Sequence, residues 1–250
     1  MAFHDIAGNE RAKAILKMAL GRDRVPNSLL FCGPRGVGKR RTARVLAQAL
    51  NCLNRKDDAC GECGPCRAIE GRKFPDVLEI EALEDNSGVG IDQVRELRDI
   101  ARLRPMSGRC RVFILPEDML GDIQASAFLK ILEEPPIFVY FILLSENPAQ
   151  ILPTVSSRCQ ILTFFPVSDE EIEKALLENG MPAAQARITA LVCHGNIEKA
   201  LEIILKMSQT IEEFKKLYQP DTLRLNFPLN TAIEQALNLY EPIFKSENIQ

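Results

Sequence analysis

Between residues 1 and 165, short runs that are apolar at nearly every position alternate with longer stretches whose apolar residues recur at helical spacing. Five of the runs predict strands: Leu29 to Cys32, Val77 to Ile80, Val112 to Leu115, Tyr140 to Leu144 and Gln160 to Phe165. Runs without polar alternation are what strands covered on both faces require. Strands separated by amphipathic helices are the signature of a parallel sheet with helices on both sides. The expected class is therefore α/β, with one domain over residues 1–165.

The pattern changes at Ser168. Ser168 followed by Glu171 has the spacing of a capping box, and it opens a helix expected to run to about Asn179, where Gly180 supplies a stop. Ala183 to Cys193 and Ile197 to Met207 carry apolar residues at helical spacing, separated by His194-Gly195-Asn196. Residues 166–208 therefore predict a small three-helix domain. Residues 209–250 contain helical stretches broken by Pro220, Pro228 and Pro242, too few for a further domain.

Composition narrows the class without naming the chemistry. The chain has 250 residues, 46% of them hydrophobic and 26% charged, which excludes a disordered tail, a collagen-like repeat and a coiled coil. No run approaches ~18 consecutive apolar residues, and the start lacks a signal-peptide layout, so a cytosolic protein with no membrane partner is expected. A net charge of −3 gives no global positive field for nucleic acid. Eight cysteines in a reducing compartment favour a metal site over disulfides.

The first predicted strand runs into Gly33-Pro34-Arg35-Gly36-Val37-Gly38-Lys39-Arg40 and then a helix through Leu50. Glycines here free the backbone to curl its N–H groups around phosphate oxygens, and Lys39 adds a point charge at the helix N-terminus. The eighth place, where a Ser or Thr hydroxyl would hold magnesium, is Arg40. An arginine has no lone pair for a cation. Thr42 lies two positions on and faces elsewhere on the helix. The strand that should end in a magnesium-holding acid, Val112 to Leu115, is followed by Pro116, with Glu117 and Asp118 only afterwards. Magnesium is not expected, while ATP or ADP binding through Gly33, Gly36, Gly38, Lys39 and Arg40 stays open.

Cys52, Cys60, Cys63 and Cys66 are spaced C-x₇-C-x₂-C-x₂-C in a loop with Gly61, Gly64 and Pro65. Four thiolates close a tetrahedral structural zinc site, and a closed site orders a loop but activates no water. An iron–sulfur cluster and free reduced thiols remain as alternatives. Cys32, Cys110, Cys159 and Cys193 read as small core residues.

Taken together, Phe3-His4-Asp5-Ile6-Ala7-Gly8, the phosphate loop, the cysteine cluster, Leu132-Glu133-Glu134-Pro135-Pro136 and Ser157-Arg158-Cys159 resemble the bacterial DNA polymerase III clamp loader within the AAA+ family, with delta-prime-type subunits as the nearest kind. The resemblance covers residues 3 to about 205. It implies a RecA-like five-stranded domain, a three-helix lid and a helical collar, of which 209–250 would be only a part. A collar of the usual domain size has on the order of a hundred residues, so weak ring assembly is expected unless the partners supply the contacts.

The resemblance also implies that Arg158 projects to a neighbouring subunit's nucleotide; without the motif it reads as a surface arginine in an ion pair. A finger supplied in trans is worth about 10³ to 10⁵ in phosphoryl transfer. Ser145 falls where the family's first sensor would be, or caps the turn at Asn147-Pro148. Where active members carry a sensing arginine in the lid, this chain has Glu198, with Lys199 the nearest cation.

Departures at Arg40, Pro116 and Glu198 imply a subunit that does not hydrolyse ATP. Its expected partners are gamma/tau and delta-type subunits, the sliding clamp indirectly and primer–template DNA through the ring. Two alternatives stay open: an active gamma/tau-type ATPase using Glu117 or Asp118, and a nucleotide-regulated adaptor outside any loader. Arg95, Arg98 and Arg102 share a helical face that could track DNA phosphates, but Asp92, Glu96 and Asp99 are interleaved, as on a solvated face.

Overall fold

The structure is a computed structural model that describes residues 2–54, 57–80, 91–116, 128–129, 131–146 and 152–206. A short 3₁₀ turn, Phe3–Asp5, precedes α1 (Glu10–Gly21), β1 (Ser28–Cys32), α2 (Lys39–Asn51), α3 (Gly64–Glu70), β2 (Val77–Glu79), α4 (Ile91–Ala101), β3 (Arg111–Pro116) and β4 (Val139–Ser145). Then come α5 (Pro153–Ser156), β5 (Gln160–Thr163), α6 (Asp169–Glu178) and α7 (Ala183–Cys193). Residues 197–206 form a last helix, α8, and 128–129 and 131–133 are also helical.

All five strands are parallel, in the order β2-β3-β4-β1-β5. Successive side chains leave opposite faces of a strand. In β1, Leu29 and Phe31 therefore join the core beneath α1 and α2. Leu30 and Cys32 join the core on the α4 side, with Val94, Leu97 and the stacked rings of Phe113 and Phe141, 5.2 Å apart. Both faces are covered, which accounts for the uninterrupted apolar runs, and the expected sheet with helices on both sides is what forms.

The capping box at Ser168 is present: its hydroxyl accepts the Glu171 N–H, and the Glu171 carboxylate accepts the Ser168 N–H. Gly180 takes φ +86° just past α6, as a helix stop requires. The helix expected to carry Arg95, Arg98 and Arg102 ends at Ala101, before Arg102, because the chain tightens into three-residue turns at Arg102 and Leu103, and the Arg111 guanidinium takes the Ile100 and Leu103 carbonyls. The fifth strand stops at Thr163 rather than Phe165; the Phe165 backbone is tied to the Asn9 side chain instead. Glu117 and Asp118, Met207, and the expected collar segment 209–250 lie outside the described residues.

Arg111, at the start of β3, is a core residue. Its Nη2 lies 3.0 Å from Asp76 Oδ1, and both side chains are almost fully buried. Asp76 also accepts the N–H groups of Met106, Ser107 and Gly108 at 2.7–2.8 Å. Burial alone would raise the Asp76 pKa. These three N–H groups and Arg111 outweigh it and hold the carboxyl below its ordinary value. Removing one partner of such a pair strands a buried charge, so Asp76→Ala should cost about 3–5 kcal/mol in denaturant titration. With the folded pKa depressed, the Asp76 contribution is complete above the usual carboxylate range and is lost as pH falls through the folded value. Acid unfolding of Asp76→Ala should accordingly be shallower than that of the parent.

Candidate functional site

The phosphate loop leaves β1 at the carboxyl edge of the sheet and feeds α2, the usual place for a ligand in an open parallel sheet. Its conformation is fixed by close approach. A Cβ on Gly33 would collide with the Phe164 carbonyl, and one on Gly36 with the Asn196 side-chain amide. Gly36 and Gly38 also take φ +75° and +91°, a region that side chains rarely adopt. Gly38 opens α2 from this left-handed conformation.

Lys39 is 7% exposed, and its ammonium donates to the Gly33 and Pro34 carbonyls at 2.5 and 2.6 Å, folding the side chain along the loop. The Thr42 hydroxyl donates to the Gly38 carbonyl at 2.9 Å, so it is committed to its own helix. Arg40 is half-buried, and its charge is among those that act on Glu79 at the end of β2. Burial would raise the Glu79 pKa; the Arg44 hydrogen bonds, then the charges of Arg44, Arg72 and Arg40, bring it below the ordinary value. Arg44 meets Glu79 as a fork, at 2.6 and 2.9 Å.

The start of α8 lies on this loop. The Glu198 N–H donates to the Gly36 carbonyl at 3.1 Å, and Asn196 caps α8 by accepting the Lys199 N–H at 2.9 Å. Beside it opens a cavity of about 430 Å³ lined by Ile6, Gly8, Gly38, Arg41, Lys174 and Glu198. Asn9 ties the N-terminal wall to the loop, donating to the Val37 and Phe165 carbonyls at 3.2 and 3.1 Å. Ser145 is buried at the end of β4, and its carbonyl accepts the Gly33 N–H at 3.2 Å.

Arg158 follows α5, in the short turn before β5. Its guanidinium binds Glu133, through Nε at 3.0 Å and through Nη2, and donates from Nη1 to the Thr154 carbonyl at 2.8 Å and Ser157 Oγ at 3.3 Å. The side chain keeps 32% of its surface exposed. On α4, Arg95 pairs with Asp92 at 3.0 Å, and Arg98 lies 3.5 Å from Asp99. Those two arginines are thus engaged with acids of their own helix.

Cys52 at the end of α2, Cys60, Cys63 before α3 and Cys66 within it bring four Sγ atoms within 4.8 Å of one another. Cys52 and Cys63 are 3.9 Å apart, Cys60 and Cys66 4.0 Å. Sulfurs at the corners of a tetrahedron about 2.3 Å from zinc are separated by about 3.8 Å, so the cluster fits that ion closely. The Cys63 and Glu62 N–H groups pull the Cys60 thiol down to about 6, while burial pushes Cys52 and Cys66 up. Asp58, inside this loop, accepts the Phe3 N–H at 3.0 Å and pairs with Lys17 at 3.0 Å, fastening the loop to the N-terminal turn and α1. Of the remaining cysteines, Cys32, Cys110 and Cys193 are buried and Cys159 is half-buried.

The sequence did not point to Asp76, Asn9, Asp58 or the Glu133–Arg158 pair, because each acts through a partner far away in the chain. The strand order and the loop placement define a AAA+ type nucleotide-binding fold. The family profile described as DNA polymerase III, delta subunit, matches residues 8–168, and the chain belongs to this clamp loader family.

Among curated proteins, it is 37% identical over 172 residues to DNA polymerase III subunit tau of Bacillus subtilis, covering 68% of this chain and 30% of that protein. It is 39% identical over 176 residues to subunit tau/gamma of Haemophilus influenzae, covering 70% and 25%. The chain thus spans less than a third of these relatives.

Among solved structures, a DNA polymerase III gamma subunit-related protein of Thermotoga maritima aligns with TM-score 0.54 and 20% identity over 82% of this chain and 62% of that one. The RuvB Holliday junction branch migration motor of the same organism aligns with TM-score 0.57 and 18% identity over 85% and 66%. Both likenesses concern the fold. Among the described residues, no helix is long and apolar enough to cross a membrane.

The thiol geometry generates a direct test. Elemental analysis of the purified protein should find about one zinc per chain. Cys60→Ser should lose it, and retention should weaken as pH falls, because protons compete with zinc for the thiolates.

Proposed function

We propose that this chain is a non-hydrolysing, delta-prime-type subunit of a bacterial DNA polymerase III clamp loader, holding nucleotide phosphate weakly or as a structural mimic and lending Arg158 to the nucleotide of an adjacent ATPase subunit. One observation carries the reading: the loop keeps its glycines and Lys39 while Arg40 occupies the position of the magnesium-holding hydroxyl and β3 closes on Pro116. Hydrolysis of a terminal phosphate depends on a metal that bridges and neutralises the phosphate oxygens. Arg40 puts a cation where that metal belongs, and Thr42 has already given its hydroxyl to Gly38.

Several further features support the reading. The cavity of about 430 Å³ beside Gly38 is in the size range of small-molecule sites and suits a nucleoside. Glu198, a carboxylate where active relatives are expected to carry a cation, lines it. Arg158 keeps a third of its surface free on the short turn between α5 and β5, as a group serving a neighbouring chain requires. The cysteine cluster orders the loop after α2 as a closed zinc site and takes no part in chemistry. Residues 166–208 act as the lid and 209–250 as part of a collar. The partners are gamma/tau and delta-type subunits, the sliding clamp through them, and primer–template DNA in the ring, with the replisome in the cytoplasm as the setting.

A second reading, an active gamma/tau-type ATPase, has one observation in its favour: the relatives named above are tau and tau/gamma subunits at 37–39% identity. The two part in a reconstituted loader. Arg158→Ala in this chain should lower ATP turnover at the neighbouring subunit by about 10³ while the assembly stays intact by gel filtration. Unchanged turnover in an intact assembly would contradict the finger.

A further inference from the structure

Arg158 is not a free arm. A guanidinium has five N–H donors in a rigid fork. Nε and one Nη2 donor meet Glu133 Oε1, and Nη1 supplies the Thr154 carbonyl and Ser157 Oγ. Four of the five donors are therefore turned inward, and the charge is balanced by a carboxylate 25 residues earlier in the chain. Glu133 reaches this point because its helical segment ends at Glu134-Pro135-Pro136, where proline stops the helix. The two most distinctive short motifs of the sequence thus meet side chain to side chain, and the contact is half-exposed on both sides, at 32% and 48%.

We propose that Glu133 is a positioning residue that holds Arg158 against its own subunit and competes with the neighbour's phosphate for the guanidinium. This rests on the reading that Arg158 serves a neighbouring nucleotide. Engagement is then an exchange of one anion for another. The carboxylate gives up Nε and Nη2, the edge that a phosphate oxygen pair can take as a fork. Nη1 keeps its bonds to Thr154 and Ser157 and serves as the pivot.

A solvent-exposed ion pair is weak and screened by salt. Glu133 therefore delays the finger without disabling it, and the delay fades as ionic strength rises. A tight, buried partner would have removed Arg158 from service; an exposed one releases it only when a stronger anion is in place.

The test uses the full chain assembled with the ATPase and remaining subunits of its own clamp loader, with ATP turnover followed against the concentration of this chain and against salt. Glu133→Gln keeps the shape and removes the charge. The concentration for half-maximal stimulation should fall about two- to fivefold at low salt, the size of an exposed pair. The maximal rate should be unchanged, and the salt dependence of the half-maximal concentration should flatten. Glu134→Gln, a neighbouring acid outside the contact, should behave as the parent.

In the isolated chain, exchange of the Arg158 Nε–H followed by NMR should be slowed in the parent and fast in Glu133→Gln. If Glu133→Gln lowers the maximal rate, or leaves both the half-maximal concentration and the salt dependence unchanged, the competition is refuted. If Arg158→Ala leaves turnover unaltered in the same assembly, the finger reading falls and this inference with it. A strong Arg158→Ala effect beside a silent Glu133→Gln removes this inference alone.

Discussion

Two places where backbone meets backbone or amide too closely for a side chain govern the whole site. Gly33 runs under the Phe164 carbonyl and Gly36 under Asn196, so the loop between β1 and α2 is pressed between the end of β5 and the start of α8. Any Cβ there would push one neighbour away. Because the fit is tight, the Gly36 carbonyl can receive the Glu198 N–H, and Asn9 can bridge Val37 to Phe165. The cavity beside Gly38 takes its walls from these same contacts, with the N-terminal turn on one side and α6 and α8 on the other.

The loop carries two adjacent cations, Lys39 and Arg40, both engaged with the fold. Lys39 is buried and bonded to two loop carbonyls, which keeps an ammonium in a position that would otherwise be costly. Glu79 on β2, already forked to Arg44, feels the Arg40 charge. The cysteine cluster is a separate device, and Asp58 links it mechanically to Phe3 and Lys17.

What could be read from the sequence was whatever local pattern carries. Both-face burial wrote itself into β1, β3 and β4 as unbroken apolar runs; Ser168 and Glu171 announced the start of α6; the x₂ spacings brought Cys60, Cys63 and Cys66 around one point. Arg111 shows where such reading fails. Nothing local marks it as buried, yet Asp76, 35 residues away, draws it into the core, where it closes α4. The Arg158 partner was equally hidden, since nothing local relates residue 133 to residue 158. Helix and strand ends shifted by one or two residues for the same reason: Arg111 and Asn9 compete for the terminal backbone groups.

The central claim is that the fold keeps a phosphate-gripping loop without the means to split what it grips. Single-turnover hydrolysis of radiolabelled ATP by the isolated chain, in excess over nucleotide and with magnesium present, tests it most directly. The account predicts phosphate release no faster than in a protein-free control. Release that depends on magnesium and disappears in Lys39→Ala would contradict it.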